Sequence, residues 1–180
     1  MNRRNITLIL VGFLLVMFQF NIHIGKISVD ICHDTVGYLL AFWGIMSLSG
    51  RNKLFAKAKA FIIGGLFVSV LVQFFNCFDF TEYQNYYDTL RLGVTLFCFI
   101  YATYYFTEGM ITLAKDINYA AVTQSYQLVW TVFAGGNFAY FIALMSGIDT
   151  VAMIVMILSY VAGLYYAMTV FNTSKELDDK

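Results

Sequence analysis

Six stretches of this 180-residue chain carry no charged side chain, and most of them are long and apolar enough to cross a bilayer. They lie between Arg4 and Lys26, Asp34 and Arg51, Lys59 and Asp79, Arg91 and Glu108, Asp116 and Asp149, and Asp149 and Lys175. A spanning helix needs about 20 mostly apolar residues, because lipid leaves no partner for an unpaired backbone amide. The pattern therefore predicts an all-α, polytopic transmembrane helical bundle. Its six spans fall at about 6–24, 35–49, 60–77, 92–110, 128–145 and 150–171, within one integral membrane domain covering 1–180.

Composition agrees. Hydrophobic residues make up 60% and charged residues 12%, against about a quarter charged in a soluble domain. The formal net charge is zero and no basic or acidic block occurs, which argues against nucleic acid as a partner. The basic, apolar N-terminus resembles a signal peptide. Phe18 to His23 offers no small-residue cleavage site, however, so the segment reads as an uncleaved first span.

Orientation follows from the cations. With six spans and both termini inside, Arg3, Arg4, Arg51, Lys53, Lys57, Lys59, Lys115, Lys175 and Lys180 face the cytoplasm, and only Lys26 and Arg91 lie outside. Acidic residues show no such bias. That asymmetry is what the positive-inside rule predicts. The second span is short, and a re-entrant segment is its alternative, but that would invert the later loops and spoil the asymmetry. Asn118 to Gln127 is polar enough for a cytoplasmic or interfacial segment before the fifth span. Ser146 to Asp149 reads as a tight outer turn, and 172–180 as a frayed tail. The tyrosines, Tyr101, Tyr104 and Tyr105 among them, are expected near span ends as interfacial anchors.

Small residues mark helix contacts. Ser159, Gly163 and Ala167 recur at i, i+4 and i+8, and Gly37 with Ala41 forms a shorter strip. Gly135, Gly136 and Asn137 fall inside the fifth span. Two adjacent glycines weaken a helix by about 1 kcal/mol each. They suit either close packing around a hydrogen-bonded Asn137 or a locally opened helix that offers carbonyls to a ligand. Glu108 is the one carboxylate inside an otherwise apolar run, where an ionisable group is costly and suggests a proton or cation site. Interfacial solvation near the cytoplasmic end is the plainer account. Polar Gln19 and Asn21 with Gln73 and Asn76 suit interhelical hydrogen bonds.

The outer loop gathers His23, Lys26, Asp30, Cys32, His33 and Asp34, but consecutive residues point apart and make a poor metal site. A polar loop with a helix cap accounts for them, so no metal and no cofactor is expected. Cys32 and Cys77 share the outer side and can pair; Cys98 reads as a buried thiol. Nucleophile elbows, HExxH, phosphate loops and CxxC are missing, which weighs against an enzyme.

Arg4-Asn5-Ile6 leading to Gly12-Phe13-Leu14-Leu15, then Asp34-Thr35-Val36-Gly37-Tyr38-Leu39-Leu40 and Phe55-Ala56-Lys57-Ala58-Lys59, resemble a group of uncharacterised multi-spanning membrane proteins of Gram-positive, clostridia-like bacteria. The likeness covers about the first 60 residues. That group carries proline where this chain has His33. The resemblance implies a bacterial cytoplasmic membrane address and brings no activity. Two functions fit the residues: a small bundle that binds or passes a small solute through Glu108 and Gly135 to Asn137, or a non-catalytic subunit or sensor. The second would dock a membrane partner, or a second copy as a homo-oligomer, through its small-residue faces.

Overall fold

A computed structural model describes residues 3–18, 21–24, 27–30, 34–75, 84–116 and 120–178. Among the described residues run six helices: α1 (Arg3–Met17), α2 (Asp34–Met46), α3 (Lys53–Phe75), α4 (Gln84–Asp116), α5 (Ala120–Met145) and α6 (Asp149–Asp178). Between α1 and α2 sits a short hairpin of β1 (Asn21–Ile24) and β2 (Ile27–Asp30). The protein is a helical membrane protein. Windows within α3, α4, α5 and α6 are long and apolar enough to span a bilayer.

The exterior shows what solvent the fold is built for. Phe67, Leu128, Leu158 and Met168 are each more than 60% exposed. In water such a surface would drive aggregation; against lipid tails it costs nothing. Inside, α1 is the most one-sided helix. Ile6, Ile9, Leu10, Phe13, Val16 and Met17 repeat at helical spacing and are all buried. Phe13 packs edge-on against Phe99 and Phe106 of α4, with ring centroids 5.9 and 5.8 Å away.

Each helix packs against the next in sequence, and α6 closes back onto α1. Neighbours run antiparallel. Asn5 donates to Ser47 across α1–α2, Thr35 meets Ser69 across α2–α3, and Gly109 abuts the Phe55 ring across α3–α4. Trp130 reaches Thr103 across α4–α5, and the Phe133 and Tyr166 rings stack across α5–α6. This up-and-down order puts the start of α1, the α2–α3 turn and the end of α6 at one end of the bundle. Arg3, Arg4, Arg51, Lys53, Lys57, Lys115 and Lys175 therefore gather at that end, hereafter the basic end.

Turn chemistry sets the breaks. Asn52 caps α3 by accepting from the Leu54 amide at 3.0 Å. Gly147, at φ 70°, ends α5 in the left-handed conformation that glycine adopts freely. Asp34 and Asp149 open α2 and α6, where the helix dipole favours a negative charge.

Several boundaries differ from the sequence reading. The apolar run to residue 24 is not one helix: α1 stops at Met17, and Asn21–Ile24 pairs with Ile27–Asp30 as a strand. The expected loop is therefore partly a hairpin. Both short helices fall below bilayer thickness, since 15 and 13 residues give only about 20 Å at 1.5 Å per residue. The polar stretch before the fifth span is no separate segment, because α5 begins at Ala120 and runs on. Nor is the tail frayed from 172, since α6 continues to Asp178. Tyr101, Tyr104 and Tyr105 stand mid-span on α4, not at its ends. They form an aromatic ladder with Phe61 and Trp130.

Candidate functional site: two buried polar seams

An apolar bundle has few reasons to bury hydroxyls, so the places where it does are informative. The first seam lies in the half of the bundle towards the basic end, where α4 meets α5 and α6. Thr103 and Thr107 stand one turn apart and are almost fully buried. The Thr107 hydroxyl lies 2.8 Å from the Tyr166 hydroxyl and donates to the Thr103 carbonyl. Trp130 Nε1 donates to Thr103 Oγ1 at 3.3 Å, and Tyr126 is buried nearby on α5. Glu108 follows Thr107 and is half-buried. It continues, one turn on, the α4 face whose Tyr104 ring packs 5.0 Å from Trp130.

The second seam lies in the opposite half, between α2 and α3 with α4 behind. Thr35 Oγ1 and Ser69 Oγ are 3.0 Å apart, and Ser69 donates to the Leu66 carbonyl. Tyr38, fully buried, lays its ring on Gly65, where any side chain would collide with it. Its hydroxyl has no hydrogen-bond partner among the described residues. Cys98 of α4, a buried free thiol, lies beside Gly64 and within electrostatic reach of Tyr38.

The residues singled out in the sequence do not assemble into one site. In the α4–α5 register set by Thr103–Trp130, Asn137 lies level with the mid-90s of α4. Glu108 is about 12 residues, or roughly 18 Å of helix, away. The fifth helix is not opened: α5 is continuous through Gly135 and Gly136. Asn137 donates to the Phe133 carbonyl of its own helix at 2.8 Å. Gly136 packs on Ser159, while Gly135 has nothing within 4 Å of where a Cβ would stand.

The small-residue strips do pack, and within the chain. Gly37 and Ala41 take Gly12 of α1. Ser159 meets Gly136, Gly163 meets Met17 and Phe133, and Ala167 joins the core. Beside Gly163 is a cavity of about 10 Å³, lined by Leu10, Phe13, Met17, Phe133 and Tyr166. It has room for about one water molecule, so a solute has to enter elsewhere or move helices apart. Cys32, Cys77, Lys26, His33, Gln19 and Asn76 lie outside the described residues, and with them the disulfide.

Sequence reasoning missed Thr103, Thr107, Tyr126, Trp130 and Tyr166, and also Thr35, Tyr38 and Ser69. The Thr103–Thr107 spacing of four was visible; the helix that faces it was not. No family model matches the chain, and no curated protein or solved structure is similar to it.

Proposed function

We propose that this chain is a six-span protein of a bacterial cytoplasmic membrane, with both termini inside. In this reading it binds or passes a small solute carrying a proton or positive charge. Two features support the topology. The cations collect at one end of an antiparallel ring, as a cytoplasmic face requires. And α1 and α2, though short, pack against helices long enough to span, so that hairpin and turn residues extend their reach.

One observation carries the solute reading: Glu108, a half-buried carboxylate in an apolar helix, adjoins the seam of buried hydroxyls at Thr103, Thr107, Tyr126 and Tyr166. A half-buried carboxylate in an apolar helix attracts a cation and repels an anion. The seam would serve as its polar lining. Native mass spectrometry of protein released from mild detergent provides the test. A bound small molecule that Glu108→Gln removes, with circular dichroism unchanged, is the expected result. Wild-type protein carrying no such molecule, or a variant that keeps it, would overturn the reading.

A further inference from the structure

The second seam is separate from the Glu108 site, and its chemistry is different. Apart from the Cys98 thiol, its polar side chains are oxygen donors. Thr35, Tyr38 and Ser69 present three hydroxyls from two packed helices, and one turn from Tyr38 stands Asp34. Residues four apart on a helix share a face, and long side chains lean back towards the N-terminus. The Tyr38 ring lies over Gly65, one turn of α3 from Ser69, and Asp34 is within electrostatic reach of it. On the α3 side, Gly65 gives the ring its room, and a Cβ there would stand 2.7 Å from the Tyr38 hydroxyl. Ser69 lies one turn beyond Gly65.

The seam is rich in acceptors. Ser69 gives its proton to the Leu66 carbonyl at 2.9 Å, so in the 3.0 Å pair Thr35 is the donor and Ser69 the acceptor. Thr35 Oγ1 retains its lone pairs. The Tyr38 hydroxyl is fully buried and unpartnered among the described residues. A buried hydroxyl without a partner costs about 1–3 kcal/mol, which a ligand bound at Tyr38 would recover.

We propose that Thr35, Tyr38 and Ser69, with the charge of Asp34, form a binding site for a monovalent alkali cation, Na+ above all. Hard cations take oxygen ligands. Among the described residues, neutral hydroxyls with one carboxylate suit one positive charge, where a divalent ion calls for more. Tyr38 serves as a ligand through its lone pair, and Asp34, one turn away, neutralises the charge.

Thermal unfolding of the purified protein in NaCl, KCl, LiCl and N-methylglucamine chloride, at equal ionic strength, tests this. A ligand that binds only the folded state raises Tm with its concentration. The expected result is a saturable rise with Na+ and none with N-methylglucamine. Tyr38→Phe should fold and weaken the apparent Na+ affinity at least about tenfold, a loss that even an outer-shell partner's removal causes. Asp34→Asn should abolish the response. Glu108→Gln should leave it intact, which separates this site from the one proposed above. Equal Tm in all four salts would overturn the proposal. So would a Tyr38→Phe variant whose Tm falls by the same amount in every salt, the mark of a bridging water in place of a cation.

Discussion

Gly12 and Gly37 face each other across the α1–α2 crossing with no space between their backbones for a side chain. A Cβ added to Gly37 would stand 2.7 Å from both the Gly12 carbonyl oxygen and Val16 Cγ2. Gly44 repeats the arrangement two turns along, against Asn5 and Ile9. Lipid tails are as apolar as leucine, so helices associate in a membrane through such close packing rather than through the hydrophobic effect. The two shortest helices thus have one of the tightest contacts in the bundle.

That contact makes Gly37→Ala costly. The atoms it meets are backbone and a branched side chain, which cannot swing aside, so we expect a loss of about 1–3 kcal/mol. Gly135→Ala is the control, since open space surrounds that position. It should be neutral or stabilising by up to about 1 kcal/mol through helix propensity. Thermal unfolding of both variants in one detergent gives the comparison. Equal Tm values would show that the crossing is looser than described.

The Thr107–Tyr166 pair joins α4 to α6 at 2.8 Å in the core. Interhelical hydrogen bonds in membrane proteins average about 0.6 kcal/mol and reach about 1.7. The cycle of Thr107→Val, Tyr166→Phe and the double variant should return a coupling within that range. Thr107 also donates to the Thr103 carbonyl, so Thr107→Val alone should cost more than Tyr166→Phe alone. A coupling near zero would mean that each hydroxyl satisfies itself locally.

Much of the architecture is readable from the residues, for a definite reason. Charge against lipid is the largest free-energy contrast in the chain, so the positions of Arg51, Lys53, Lys115 and Asp149 fix where helices end and which way they run. The contrast between core and lipid is small. Phe106 is fully buried and Phe67 is 63% exposed, and no sequence rule separates them, because both surroundings are apolar. For the same reason Tyr38 and Tyr166 do not stand out among 13 tyrosines. The β1–β2 hairpin leaves a trace, since Phe20, Ile22 and Ile24 alternate with Asn21 and His23 at the period of a strand, though the length of the uncharged stretch favours one helix. At the candidate site Glu108 is legible as a lone acid. Of the seam hydroxyls, Thr103 and Thr107 share its helix, while Tyr126 and Tyr166 come from α5 and α6 and require the packing order.

Gly163 decides what the Ser159/Gly163/Ala167 strip is for. A Cβ there would overlap the Met17 thioether and stand 3.3 Å from Phe133 Cε2. Methionine is flexible and can move, so Gly163→Ala should cost less than about 1 kcal/mol. Gly163→Leu has nowhere to put its branches and should cost about 1–3 kcal/mol. Thermal unfolding reads the fold and native mass spectrometry reads the oligomeric state. A Gly163→Leu protein that keeps its Tm but changes its oligomeric state would assign the strip to a partner rather than to α1 and α5.

Two ends of the bundle separate Lys53 from Ser146. Lys53 opens α3 at the basic end, and Ser146 sits in the turn that closes α5, donating to the Ala143 carbonyl at 2.7 Å. If the basic end faces the cytoplasm, cysteines at these positions must differ in reach. In a background with Cys32, Cys77 and Cys98 replaced, Ser146→Cys should react with a membrane-impermeant maleimide in intact cells. Lys53→Cys should react only after permeabilisation. Both helices are long enough to cross, since α3 and α5 each have a span-length window, so one reversed pair of labels would invert the whole ring. Labelling of both positions in intact cells would mean instead that α3 does not cross with α5.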